Sequence, residues 1–133
     1  MADFEYKLNS GDTLNIGDSS NTVAISGSTN LSKMVYSYEK VTTTGTDDVL
    51  DPAKYASLVT SGGAHTVTLA NGTYVGQVKK IVITAVAAGT ITVTPASFSN
   101  GTSMTMAEIL DSVELIWDGT NWNIAQAAGI AIV

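Results

Sequence analysis

One stretch near the end of the chain, residues 111–124, constrains the fold more than any other. It reads Asp-Ser-Val-Glu-Leu-Ile-Trp-Asp-Gly-Thr-Asn-Trp-Asn-Ile, and its side chains alternate on both sides of Asp118-Gly119. Period-two alternation around an Asp-Gly pair predicts two β-strands joined by a tight turn. Both tryptophans of the chain, Trp117 and Trp122, share the phase of the apolar residues, and each can bury up to about 250 Å². We therefore predict that this hairpin anchors the core with both rings pointing inward.

The rest of the chain repeats this pattern of short β-rich runs separated by turn residues. The runs cover residues 34–43, 49–50, 66–69, 78–86 and 90–94, and the turn signals include Asn71-Gly72, Asn100-Gly101 and Pro95. Residues 53–59 fit either a helical turn or a strand, and residues 102–110 fit a strand better than a short helix. Short strands at this spacing predict an all-β fold, a single-domain β-sandwich or flattened barrel of short antiparallel strands.

The N-terminal segment, residues 1–31, differs from the β-sandwich domain predicted for residues 32–133. Two short apolar alternations, Leu14-Asn-Ile16 and Val23-Ala-Ile25, lie nine positions apart in a background of Gly, Ser, Thr, Asn and Asp. They indicate short strands with solenoid-like or meandering turns. Because the segment has few apolar residues, we expect an extended arm that packs on a neighbour or on another chain; a loosely attached arm is the alternative.

Composition excludes several classes of function. The 133 residues fit one domain and include no Cys, which rules out disulfides, zinc–thiolate sites and thiol catalysis. The chain has no Arg and a formal charge of -6, so we predict no nucleic-acid and no membrane partner. It shows no secretory signal and no apolar run of membrane-spanning length, so we expect a protein made in the cytoplasm.

The sequence contains no residue set that predicts a reaction centre. His65 is the only histidine and has no identifiable partner for a nucleophile, so a structural role is favoured. The acids Glu108, Asp111, Glu114 and Asp118 could form a pair for glycoside cleavage, but strand-end carboxylates exposed to solvent are the simpler interpretation. We predict no enzyme activity, no catalytic residue and no cofactor.

Two groups of residues could form binding sites, and each has a simpler interpretation. The oxygen-rich clusters at Asp47, Asp48 and Asp51 and at residues 118–123 could hold calcium, but turn chemistry accounts for them, and no metal is predicted. The aromatic residues Trp117, Trp122, Tyr74 and Tyr36 could form a sugar-stacking platform. Strand alternation instead assigns both tryptophans to the core. Lys79-Lys80 is too small a cluster for a nucleic-acid surface.

Three stretches together carry a resemblance to a known class of protein. They are Gly72-Thr-Tyr-Val-Gly-Gln-Val-Lys-Lys-Ile-Val-Ile, then Ile91-Thr-Val-Thr-Pro-Ala-Ser-Phe, then the hairpin of residues 111–124. They resemble a β module of virion surface proteins of tailed bacteriophages: capsid decoration (cement) proteins, head fibres and tail-fibre-like proteins. The resemblance covers about the C-terminal half of the chain and carries no catalytic residues.

The resemblance implies a virion structural protein on the capsid surface. Its expected partner is the major capsid protein, its expected form a homotrimer on three-fold positions, and its expected role stabilisation of the head. The alternative is a head- or tail-fibre adhesion module that binds host surface glycans. We predict capsid contacts in the arm, which is least able to order itself, and subunit contacts in the apolar tail. The capsid-contact candidates are Phe4, Tyr6, Leu8, Leu14 and Ile16, and the subunit-interface candidates are Ile130, Ile132 and Val133.

Overall fold

The structure, a computed structural model, describes residues 36–45 and 48–133, which form ten β-strands and no helix. The strands are β1 (Tyr38–Thr42), β2 (Asp48–Leu50), β3 (Ala56–Ser61), β4 (His65–Leu69), β5 (Val78–Val86), β6 (Ile91–Pro95), β7 (Met104–Met106), β8 (Ser112–Trp117), β9 (Trp122–Ala128) and β10 (Ile130–Ile132). Of residues 53–59, which fit either a helical turn or a strand by sequence, 53–55 form a turn and 56–59 belong to β3. The predicted N-terminal arm, residues 1–31, lies outside the described residues.

The strands form two open sheets of five, and this confirms the predicted all-β sandwich. One sheet has the order β1-β3-β5-β8-β9, and the other has the order β10-β7-β6-β4-β2. Inward-facing side chains of both sheets form a single apolar core, because alternate residues of a strand point to the same face. The fully buried members are Leu50, Val59, Val67, Leu69, Ile81, Ile83, Ile91, Val93, Met104, Met106, Val113, Leu115 and Trp122.

The prediction of antiparallel strands is wrong for the first six strands. The chain crosses to the opposite sheet at each step from β1 to β6, so β1, β3 and β5 run parallel in one sheet. In the same way β2, β4 and β6 run parallel in the other. Only the pairings made by β7, β8, β9 and β10 are antiparallel. Parallel neighbours need a long crossover, and here a strand of the opposite sheet supplies it in place of a helix.

This winding brings three loops to one edge of the first sheet. Tyr38 of β1 lies beside Ala56 of β3, which lies beside Lys80 of β5. The amino ends of these three parallel strands are therefore level, and the loops that precede them meet at the same edge. Glu114 of β8 continues this row, since it pairs with Lys80. This edge carries the cavity described below.

The predicted hairpin is confirmed, with a longer connection than Asp-Gly alone. β8 and β9 pair antiparallel with Trp117 opposite Trp122, and residues 118–121 connect them. Gly119 takes a φ of 102°, a conformation that favours glycine. The Asp118 carboxylate accepts hydrogen bonds from the N–H groups of Thr120 and Asn121 and from the Asn123 amide, at 2.7–2.8 Å. These bonds hold the pKa of Asp118 below its ordinary value, so at neutral pH the turn is held by an ionised carboxylate.

Gly72 is required by the packing of Trp117, although the sequence suggested a turn conformation. Its φ is not positive, but a Cβ built on it would lie 2.4 Å from Cγ of Trp117.

We expect Gly72→Ala to lower the free energy of unfolding by about 1–3 kcal/mol, because the tryptophan ring must shift within a packed core. Urea unfolding measures this. The control is Gly45→Ala, where no described residue has an atom within 4 Å of the added methyl group. Equal stabilities of the two variants would contradict the packing argument.

Candidate functional sites: a tyrosine-lined cavity and an exposed apolar loop

A cavity of about 480 Å³ lies at the edge where the amino ends of β1, β3 and β5 meet. Each of the three loops contributes to its wall, and β8 adds one outward-facing side chain. The lining residues are Tyr36 and Ser37 before β1, Pro52, Ala53 and Tyr55 before β3, Tyr74, Gly76, Gln77 and Val78 before and at the start of β5, and Glu114 of β8. The cavity is thus a direct product of the parallel winding.

Three tyrosines give the cavity its aromatic character. The rings of Tyr36 and Tyr55 stack with centroids 4.4 Å apart and planes inclined by 30°. Tyr55 is half-buried, whereas Tyr36 and Tyr74 are exposed. Each ring combines an apolar face with a hydroxyl group, so together they can contact a ligand that is itself part apolar and part polar.

A buried lysine fixes the loop before β3. The side chain of Lys79 is 0% exposed, and its ammonium donates to Oε1 of Glu39 at 3.1 Å. It also donates to the backbone carbonyls of Asp51 at 2.7 Å and Lys54 at 3.1 Å. All three of its donors are therefore satisfied, as a buried charge requires. Since these carbonyls flank Pro52 and Ala53, Lys79 holds this part of the cavity wall in place.

The carboxylate of the Lys79–Glu39 ion pair accepts further hydrogen bonds. Glu39 also accepts hydrogen bonds from the Ser57 hydroxyl and from the Asp51 N–H at 3.0 Å. Burial lowers the pKa of Lys79, and the hydrogen bond and negative charge of Glu39 partly oppose this shift. The network joins β1, β3 and β5 at the edge that carries the cavity.

Gln77 fixes a second part of the wall. Its amide nitrogen donates to the Pro52 carbonyl at 2.6 Å. Its carbonyl oxygen accepts from the backbone N–H of Thr73 at 2.6 Å and from the Thr73 hydroxyl at 3.2 Å. Gln77 is buried, so it ties the loop before β5 to the loop before β3 away from water. These hydrogen bonds order two parts of the cavity wall, which reduces the ordering cost of binding.

A second surface feature is the loop between β7 and β8. Ile109 and Leu110 are 57% and 73% exposed, and Leu110 has a φ of 76°. Of the non-glycine residues that the structure describes, only Leu110 has a positive φ. A bulky residue in the left-handed region costs roughly 1–2 kcal/mol. The chain therefore displays two large apolar side chains to solvent at an energetic cost.

Hydrogen bonds hold this loop in its strained form. The Leu110 N–H donates to the Ile83 carbonyl at 2.9 Å, and the Ile83 N–H donates to the Asp111 carbonyl at 2.9 Å. The buried Asp111 carboxylate accepts from the N–H groups of Ala107 and Glu108 at 2.8 and 2.9 Å. Residues that their neighbours hold in a strained backbone conformation occur often at functional sites.

The structure brings together only part of the sugar-stacking set. Tyr36 and Tyr74 line the cavity, whereas Trp117 and Trp122 are buried with ring centroids 5.4 Å apart. This confirms that both tryptophans belong to the core. Sequence reasoning missed Tyr55, whose place in the cavity depends on the parallel pairing of β1 and β3. The turn dipeptides of the sequence do not reveal that pairing, because they identify only antiparallel neighbours.

The aspartates of the first calcium candidate that the structure describes, Asp48 and Asp51, serve as turn and loop acceptors. Asp48 accepts from the N–H groups of Thr44 and Gly45, and Asp51 accepts from that of Ala53. Within residues 36–45 and 48–133, no group of three or more His, Cys, Asp or Glu side chains is placed to hold a metal ion. Asp47 lies outside these ranges.

The predicted contact residues fall in two places. The capsid-contact candidates, Phe4, Tyr6, Leu8, Leu14 and Ile16, all lie outside the described residues. The subunit-interface candidates lie at the end of the chain, on and beside the edge strand β10. Ile130 packs partly against the core, whereas Ile132 and Val133 are exposed in the single chain.

No protein-family model matches the chain, and no curated protein matches it significantly. In the part of the chain that the structure describes, no helix is long and apolar enough to cross a membrane.

Proposed function

We propose that this protein is a virion structural protein of a tailed bacteriophage: a capsid decoration protein that binds the lattice of the major capsid protein and stabilises the head. The resemblance of residues 72–124 to phage surface modules supports this function, and so does the sandwich fold. The mechanism is binding without chemistry. Each copy adds buried area across the seams between capsid subunits, and linked copies raise the avidity.

The exposed loop with Ile109 and Leu110 is the observation that carries this proposal. These two large apolar side chains do not stabilise the single chain, because they contact water on a strained, hydrogen-bonded loop. They become favourable when a protein surface covers them, at about 25 cal/mol per Å² of apolar area removed from water. We assign this loop to the contact with the capsid protein, in addition to the N-terminal candidates Phe4, Tyr6, Leu8, Leu14 and Ile16.

The proposed assembly is a homotrimer on the capsid surface. Its interface would include Ile132 and Val133, on and beside β10, together with Ile130; β10 is the outer strand of the second sheet as the described residues form it. An unpaired edge strand with apolar side chains invites pairing with another chain, and closed symmetry hides such edges. A trimer on a three-fold position also presents three identical loops to the lattice.

Leu110→Asn should weaken capsid binding without weakening the fold. Asparagine tolerates a positive φ, so the replacement relieves strain while it removes the apolar contact. We expect unfolding to require at least as much urea as for the parent protein. We expect at least tenfold weaker co-sedimentation with capsids of the same phage that lack this protein.

The matched control is Val75→Asn, at a residue that is also 73% exposed and lies in a different loop. It should bind capsids like the parent protein. Equal binding by the parent and the Leu110→Asn variant would refute the role of this loop.

The second candidate function is a head- or tail-fibre adhesion module that binds host glycans, and the tyrosine-lined cavity favours it. The position of the protein on the virion distinguishes the two functions. A decoration protein covers the head, whereas a fibre protein is found at the tail or at single vertices.

A further inference from the structure

We propose that the cavity lined by Tyr36, Tyr55 and Tyr74 is a binding site for a neutral pyranose sugar. The site would be additional to the capsid contact, and it does not depend on the decoration function.

The aromatic side chains supply the apolar half of a sugar site. One face of a pyranose ring carries mainly C–H groups, and it packs flat against an aromatic face. Tyr36 and Tyr55, whose ring centroids are 4.4 Å apart, both line the cavity and can offer an aromatic face to a sugar, and the exposed Tyr74 adds a third ring. The volume of about 480 Å³ lies within the usual range for small-molecule sites and suits one or two sugar rings.

The polar groups supply the other half. Three tyrosine hydroxyls and the Ser37 hydroxyl can both donate and accept, and the Glu114 carboxylate accepts. Glu114 makes no hydrogen bond or ion pair with the other described residues beyond its backbone pairing in the sheet. Because Glu114 lines the cavity, its carboxylate can accept from sugar hydroxyls in a strong, charge-assisted bond.

The charge of the site selects among sugars. Among the described residues that line the cavity, Glu114 is the charged one, and the Lys79 ammonium is turned toward Glu39 and two backbone carbonyls. The whole chain adds a net charge of -6. Lys80 pairs with Glu114 across the strands but does not line the cavity, so a uronic or sialic acid would bring its carboxylate toward the Glu114 carboxylate. We therefore expect acidic sugars to bind more weakly than neutral ones.

The test uses the full-length protein and four sugars: methyl β-glucopyranoside, methyl β-galactopyranoside, N-acetylglucosamine and glucuronic acid. Protein-observed NMR titration reports binding at the tyrosine rings. We expect at least one neutral sugar to shift the signals of Tyr36, Tyr55 and Tyr74, with a Kd on the order of 1 mM. Glucuronic acid should bind at least about tenfold more weakly.

Two cavity variants and one matched control assign the site. Tyr74→Ala removes an exposed ring and should weaken binding of the neutral sugar about tenfold. Glu114→Gln should reduce the difference in affinity between the neutral sugar and glucuronic acid. Tyr38→Ala should change nothing, since Tyr38 lies outside the cavity with a similar exposure, 58% against 64% for Tyr74.

Three outcomes would overturn the proposal. One is that no neutral sugar shifts these tyrosines, and another is that Tyr38→Ala weakens binding as much as Tyr74→Ala. The third is that choline binds while the sugars do not, because the cavity would then be a cation–π site. The Tyr74→Ala variant should co-sediment with capsids as the parent protein does. This result distinguishes the sugar-site proposal from the capsid-binding proposal.

Discussion

Replacing Trp122 with alanine is expected to lower the free energy of unfolding by about 3–5 kcal/mol. Trp122 is 0% exposed, and its ring packs against Trp117 with centroids 5.4 Å apart. Its indole N–H also donates to the Ala70 carbonyl at 3.0 Å. The truncation leaves a large cavity at the junction of the hairpin with the loop before β5. Domains of this kind are stable by only about 5–15 kcal/mol, so a large share of the total would be lost.

Chemical unfolding followed by circular dichroism measures this effect, and Trp122→Phe is the control. Phenylalanine keeps most of the buried ring but loses the hydrogen bond to Ala70, so it should cost clearly less than alanine. A loss below about 1 kcal/mol for Trp122→Ala, the range of mild substitutions, would show that the hairpin does not anchor the core.

Replacing Lys79 with methionine is the second large expected effect, a loss of about 3–5 kcal/mol. Methionine fills a similar volume but donates no hydrogen bond. The Glu39 carboxylate, whose side chain is 18% exposed, would lose its partner charge. The carbonyls of Asp51 and Lys54 would lose the donor that now satisfies them, and a buried acceptor without a partner carries a desolvation penalty.

The neighbouring lysine supplies the control. Lys80 lies on the opposite face of β5 and is half-buried, so Lys80→Met should change stability by much less. A double variant, Glu39→Gln with Lys79→Met, should recover part of the loss, because it removes the unpaired charge. Similar stabilities of the Lys79→Met and Lys80→Met variants would contradict the network described for Lys79.

The sequence predicted those parts of the fold that depend on local alternation. The phase of Val113, Leu115 and Trp117 determined which face of β8 is buried, and the structure agrees. The same argument applied to β5 would have revealed the buried lysine, since Lys79 shares its phase with Ile81 and Ile83. The adjacent Lys80 made the pair look like an exposed charge cluster.

The parallel winding was harder to predict, because turn dipeptides identify only antiparallel neighbours. One signal was present. Val41, Leu50 and Val59 lie nine residues apart on β1, β2 and β3, which belong alternately to the two sheets. The two N-terminal alternations, at residues 14–16 and 23–25, have the same spacing in sequence. The cavity depends on this winding, so its tyrosines could not be grouped from sequence alone.

The proposed capsid function is tested most directly by imaging purified virions and counting the copies of this chain on each particle. We expect density for this protein over the head at three-fold positions, with three copies at each position and contacts to the major capsid protein. Its presence at tail or single-vertex copy numbers, or its absence from the particle, would contradict the proposal.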